Sequence, residues 1–171
     1  MRVLFELDKK DYNPNGSVHS RPSARAVIIR DGKIAMVYSK KYKYYKFPGG
    51  GIEADERMEE ALVREVSEET GLCVIENSIR EYGQVHRVQR GTEADIFVQD
   101  NYYFLCSVQD NLEQQNLDVY EAEEGFTLEF LEPRRAIEAN RKCIIDDFSQ
   151  VMVEREALVL ERLIQEGYFA K

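Results

Sequence analysis

A chain of 171 residues suits one compact domain, and at 43% hydrophobic and 32% charged its composition argues against a disordered class. The formal charge of -9 argues against duplex nucleic acid as a partner, because no basic stripe overrides that field. An acidic chain can still act on phosphates when bound divalent cations reverse the local sign.

Residues 2–7 alternate polar and apolar like a short strand, and residues 11–22 are rich in Asn, Pro, Gly and Ser. Residues 1–22 are therefore expected to form an N-terminal strand and loop or arm ahead of a single domain over 23–171. Residues 25–29 and 34–38 are apolar and β-branched around Asp31-Gly32, which predicts a hairpin. Residues 40–46 are basic and tyrosine-rich. The Phe47-Pro48-Gly49-Gly50-Gly51 run that follows argues against helix and regular strand alike and predicts a sharp turn. Asp55 can cap a helix from about residue 56 to 70, with acids in its first turn and Gly71 as its left-handed stop. Strands are expected at 79–88, 96–108 and 126–130, with the acidic run 121–124 in a loop before the last. Two helices at 132–142 and 148–166 complete the pattern. Cys73, Cys106 and Cys143 are odd in number and widely spaced, unlike a disulfide framework or a paired zinc site. With neither a signal-peptide core nor an apolar run of spanning length, a cytoplasmic protein without a membrane partner is expected.

The central helix is anomalous. On a wheel at about 100° per residue, Met58, Ala61 and Leu62 define the core-facing side, with Val66 at its margin. Glu65 and Glu69 fall in that same sector, and Glu68 lies beside them, since positions three and four apart are neighbours. Inward carboxylates repel one another and lose hydration, so they must take up protons or bind cations. Mg2+, or Mn2+, answers both needs: such hard ions take oxygen ligands, use few protein carboxylates and leave positions for water and phosphate oxygens. A solvated charged face is the alternative for the Glu-x-x-Glu-Glu run taken alone. The glycine turn in front of it adds backbone that can approach a ligand closely.

Gly50, Glu56, Arg64-Glu65-Val66, Glu68-Glu69, Gly71 and Leu72 match, position by position, the pattern G, five residues, E, seven residues, R-E-aliphatic, any residue, E-E, any residue, G-aliphatic. By these residues the chain resembles the Nudix hydrolases, whose box spans 50–72 here. The resemblance implies an α/β fold, an α/β/α sandwich with a mixed β-sheet, the box as loop, helix and loop, and C-terminal helices. It further implies hydrolysis of the phosphoanhydride in a nucleoside diphosphate linked to another moiety, by in-line attack of water assisted by Mg2+. Carried over by position, Glu65 and Glu69 resemble the principal metal ligands, Glu68 a further ligand or water-positioning carboxylate, and Gly50 a backbone contributor. Arg64 would orient a neighbouring carboxylate, and Glu56 would hold the loop or join the outer metal shell. A general base is placed either on the box helix or on a later loop, where Glu121, Glu123 and Glu124 are available and Glu124 is preferred.

Substrate choice falls outside the box. Tyr45 and Phe47, with Tyr42 and Tyr44, offer stacking surfaces, Lys43 and Lys46 could meet phosphates, and Gly49 brings backbone close. Arg25 could project from its apolar strand towards phosphate or make an edge salt bridge, and His86 and Arg87 carry the same ambiguity. An ADP-ribose-like conjugate is the first choice of substrate and a nucleoside triphosphate the second. A nucleotide-binding sensor that keeps the architecture is the alternative function. The resemblance also admits a homodimer in which the N-terminal strand could be exchanged.

Overall fold

The computed structural model describes residues 1–170. Its elements are β1 (Val3–Asp8), β2 (Val18–Ser20), β3 (Ser23–Val27), β4 (Ile29–Arg30), β5 (Lys33–Ser39), β6 (Tyr45–Lys46), β7 (Gly49–Gly51), α1 (Met58–Thr70), β8 (Leu72–Val74), β9 (Arg80–Arg90), β10 (Ile96–Leu105), β11 (Val108–Leu112), α2 (Val119–Glu124), β12 (Phe126–Leu131), α3 (Pro133–Lys142) and α4 (Asp147–Gln165). The main sheet runs β1-β9-β10-β3-β7, with β2 also on β10. It is mixed: β1 is parallel to β9, β2 and β3 are parallel to β10, and β9–β10 and β3–β7 are antiparallel. A second, antiparallel sheet runs β12-β5-β4 with β6 on β5, and β8 pairs with β11.

The period of two along β3 separates the layers. Ala24 and Ala26 face α1, packing with Ala61, Leu62, Val66 and Phe104. The opposite side of the sheets packs on α3 and α4 through Val27, Met36, Phe47, Tyr103, Leu160 and Leu163. The result is an α/β/α arrangement with α1 on one side and the C-terminal helices on the other. Among the described residues no helix is long and apolar enough to cross a membrane.

Four expectations are corrected. The strand expected over 25–29 is divided: β3 joins the main sheet and β4 the second, the chain passing between them at buried Ile28, whose carbonyl accepts from Ala35 N at 2.9 Å. The Asp31-Gly32 turn does close a hairpin, β4–β5, with φ of 52° and 72°. The glycine run is a short strand, because Gly49 at φ 134° lets the backbone pair with β3 where any Cβ would strike the Ala24 carbonyl. The box helix starts at Met58, not at Glu56. Glu53 N–H donates to the Glu56 carboxylate at 3.1 Å in a preceding turn, and Glu60 takes the cap by accepting from Arg57 N at 3.0 Å. The run 121–124 is helical, as part of α2, stopped by Gly125 at φ 69°.

A fully buried charge network ties α4 to the main sheet. Arg155 donates to Glu156 Oε1 at 2.6 Å, Asn101 Oδ1 at 2.6 Å and Gln99 Oε1 at 3.0 Å. Glu156 also accepts from Tyr103 OH at 3.2 Å and from Phe47 N–H at 2.5 Å. Removing one partner strands the other in the core. Arg155→Met should therefore lower unfolding stability by roughly 3–5 kcal/mol, seen as a lower urea midpoint at unchanged m-value.

Candidate active site

The box is organised by Arg64. Its Nε and Nη2 each donate to Glu56 at 2.8 Å, Nη1 donates to Glu65 at 2.7 Å and Glu68 at 3.3 Å, and Nη2 also reaches the Gly51 carbonyl at 3.1 Å. This fork holds Glu56 below its usual carboxylate range, while burial and the neighbouring Glu65 charge push Glu68 up against the opposing pull of Arg64. The Glu65 carboxylate packs so closely on Gly50 that any Cβ there would collide with it. A side chain there would therefore force the Glu65 carboxylate away from the glycine strand.

Glu69 leaves this cluster. It is fully buried, paired with Lys46, and accepts from Gly49 N–H at 2.9 Å. Burial pushes its pKa up to about 7, against the pull of Lys46 and Arg25. The three glutamates of the wheel thus divide into Glu65 and Glu68 on the Arg64 side and Glu69 facing the cation side. Among the described residues no three Asp, Glu, His or Cys side chains converge as a ready metal cluster.

Beyond Lys46 lies a cavity of about 330 Å³. Its cations are Arg21, Arg25, Lys46 and Arg87, and its aromatic walls are Tyr44, Phe97, Tyr120, Phe126 and Phe148. Arg25 is positioned by donating to the Gly49 carbonyl at 2.5 Å and to Ser23 Oγ at 3.3 Å. Tyr45 and Phe47, read from sequence as stacking surfaces, are in the core instead. Tyr45 donates its hydroxyl to Glu129 at 2.8 Å, and Phe47 meets Tyr103 edge-on at 5.4 Å. Alternation explains the correction: residues 45 and 47 share one face of the chain, and Tyr44 and Lys46 share the cavity face.

Glu124 Oε2 accepts from Ser39 Oγ and Tyr44 OH, both at 2.9 Å, while Glu121 is buried as the cap of α2, accepting from Asp118 N at 2.9 Å. Glu124 does not line the cavity; it reaches it through Tyr44. Sequence reasoning missed Phe97, Tyr120, Phe126 and Phe148. Phe97 and Phe126 sit in strands where an aromatic residue gives no signal of its side, and Phe148 opens a helix whose apolar face draws the eye further along.

Fold and site together define an α/β domain that sets an acidic helix and a glycine strand beside a cationic, aromatic cavity. The model of the NUDIX domain matches residues 19–148, and the chain belongs to the Nudix family. It is 33% identical over 94 residues to an ADP-ribose pyrophosphatase of Methanocaldococcus jannaschii, covering 53% of this chain and 54% of that protein. It is 41% identical over 66 residues to a CTP pyrophosphohydrolase of Escherichia coli, covering 36% of this chain and 47% of that protein. The matches thus span about half the length of these relatives. Among solved structures, a mutator MutT protein from Bacillus halodurans superposes with a TM-score of 0.56 at 17% identity, over 78% of this chain and 80% of that one. A NUDIX hydrolase from Nitrosomonas europaea gives 0.56 at 20% identity, over 80% and 87%. At these identities the structures support the fold.

The position of Glu69 makes a pH prediction for the metal-free protein. A carboxyl whose folded pKa is raised from 4.5 to about 7 contributes stability that is whole below 4.5 and lost as the pH climbs through 7. In EDTA, melting temperatures of the wild type should fall across that window, and Glu69→Gln should flatten the fall. Equal slopes in both proteins would place the titration on another group.

Proposed function

We propose that the chain is a Mg2+-dependent pyrophosphohydrolase acting on a nucleoside diphosphate linked to another moiety. The observation that carries this reading is the adjacency of two chemistries through one ion pair: Lys46 of the cationic cavity binds Glu69 of the box helix, which also accepts from the Gly49 N–H. The cavity supplies positive charge for phosphates and aromatic faces for a base, and the box supplies hard oxygen donors.

The residues present fit a divalent ion. Glu65 and Glu68 offer carboxylates already brought together by Arg64, at side-chain exposures of 15% and 37%, with Gly50 backbone against Glu65. Two carboxylates and a backbone group leave positions for water and phosphate, as Mg2+ prefers; Glu69 would join this set by leaving Lys46. When bound, the ion neutralises phosphate charge and makes water a better nucleophile. Arg64 keeps the carboxylates in place, Arg25 and Lys46 bind non-bridging phosphate oxygens, and Tyr44, fixed by Glu124, presents its ring to the ligand. Glu124 remains the candidate base of the later segment: both hydroxyls engage Oε2, and among the described residues no hydrogen bond engages Oε1.

An ADP-ribose-like conjugate is the first choice and a nucleoside triphosphate the second, in keeping with relatives named for ADP-ribose and for CTP. A panel of both substrate types with Mg2+ tests the reading. Glu65→Gln should lower kcat roughly 10²–10³-fold, and EDTA should abolish turnover. Tight binding without turnover in the wild type would favour the sensor function, and neither binding nor turnover would remove both. If Glu124 is the base, Glu124→Gln lowers kcat by roughly 10²-fold or more and removes the acidic limb of the pH profile; a change confined to KM would assign it to Tyr44 alone.

A further inference from the structure

One cavity cation is held by neutral acceptors and aromatic rings. Lys46 is paired with Glu69, and Arg155, just behind the cavity, is paired with Glu156. Arg25 holds a glycine carbonyl and lies close enough to Glu69 to feel its charge. Arg87, only 3% exposed, meets neutral acceptors alone: Gln89 Oε1 at 3.1 Å, Gln99 Oε1 at 3.5 Å and the Phe148 carbonyl at 2.6 Å. Among the described residues no carboxylate forms a salt bridge with it. Its guanidinium lies 5.2 Å from the ring centre of Phe97 and 4.9 Å from that of Phe148, and the two rings meet each other at 5.1 Å.

An arginine has five N–H donors, and three are engaged here, which leaves two for a ligand. Burial, then the nearby charges of Arg155 and Arg25, push the Arg87 pKa down to about 9, against the weaker pull of Asp146 and Glu156. Its place in the sheet separates it from the box. Arg87 pairs with Gln99 on β10, whereas the Arg21 guanidinium, beyond β10, lies against Gly51 of β7. From β9 to the glycine strand β7 there are three strand spacings, roughly 14 Å at about 4.8 Å each. Arg25, assigned above to the diphosphate, is two strands from Arg87 and pairs with β10 at Tyr103, four residues along from Gln99, so the two arginines rise from separate places on the sheet.

We propose that Arg87 is a receptor for a phosphate monoester that the ligand carries in addition to the diphosphate at the box. The substrate class is thereby narrowed to nucleoside-diphosphate conjugates with a further phosphate. This rests on the pyrophosphohydrolase reading for its substrate, but the receptor itself does not need turnover to be seen. A planar guanidinium with two free N–H groups suits two oxygens of one phosphate, and the ligand's charge supplies what the protein leaves out.

Two measurements on the full chain test it. In metal-free buffer, the 15N resonance of Arg87 Nε, assigned by its loss in Arg87→Gln, should shift saturably with inorganic phosphate. With Mg2+, two matched pairs are compared: ADP-ribose with its 1″-phosphate, which adds the group on the distal ribose, and NADH with NADPH, which adds it on the adenosine. The wild type should prefer the phosphorylated member of one pair at least tenfold in kcat/KM, and Arg87→Gln and Arg87→Lys should each remove most of that preference. The melting temperature of unliganded Arg87→Gln should be no lower than that of the wild type, because an uncompensated charge has gone; a purely structural arginine would give a marked drop. The proposal is overturned if phosphate gives no saturable shift, if neither pair shows a preference, or if Arg87→Gln lowers both members equally, which would mean that Arg87 reads the shared diphosphate. If the wild type turns over none of the four compounds, the pyrophosphohydrolase reading fails for them, and the phosphate titration still decides the receptor.

Discussion

Four charged side chains from three different elements grip the backbone of residues 47–51. Glu156 of α4 accepts from Phe47 N–H, Glu69 of α1 accepts from Gly49 N–H, Arg25 of β3 donates to the Gly49 carbonyl, and Arg64 of α1 donates to the Gly51 carbonyl. Bonds between an ionised side chain and a backbone group are stronger than neutral ones, and the partly dry interior strengthens them further. A stretch with three glycines would otherwise be the softest part of the chain. Here it is the point to which both helical layers and the main sheet are fastened, so the position of the box relative to the cavity follows from it.

The electrostatics have the same economy. A chain of charge -9 keeps a cluster of cations on one cavity wall and a cluster of carboxylates on the adjoining helix. The glutamates are gathered by Arg64, and Glu69 meets the cations through Lys46. The buried Arg155–Glu156 pair is connected to this wall through Asn101, Ser23 and Arg25, which hydrogen-bond in sequence as far as Gly49. A disturbance at α4 therefore has a continuous path of polar contacts to the glycine strand.

Much of this was legible in the chain. The carboxylate stripe, the capping Gly71 and the hairpin turn at Asp31-Gly32 are local signals, and each depends on spacing within a few residues. Sidedness was harder. Nothing local tells whether Tyr44 or Tyr45 faces the ligand, because either phase of the alternation is a good strand, and the choice is made by α4 and Tyr103 packing from a distance. The start of α1 was misplaced for a related reason: Asp55 and Glu60 are both sound caps, and Glu56 is drawn out of the helix by Arg64 eight residues on. The division of 25–29 between two sheets was likewise invisible, since both halves are apolar and only their partners differ.

The pairing of β1 with β9 has a consequence for biosynthesis. Val3 lies opposite Gln84, and the pairing is parallel, so β1 has no partner until a segment some eighty residues downstream is available. At a synthesis rate of roughly 5–20 residues per second, that is a delay of roughly 4–16 s. β2 waits about as long for β10, whereas β3 has β7 as an earlier partner, with Ser23 opposite Gly51. The main sheet cannot zip up from its first strand as the nascent chain emerges, because β1 and β2 have no strand partner until β9 and β10 have been made.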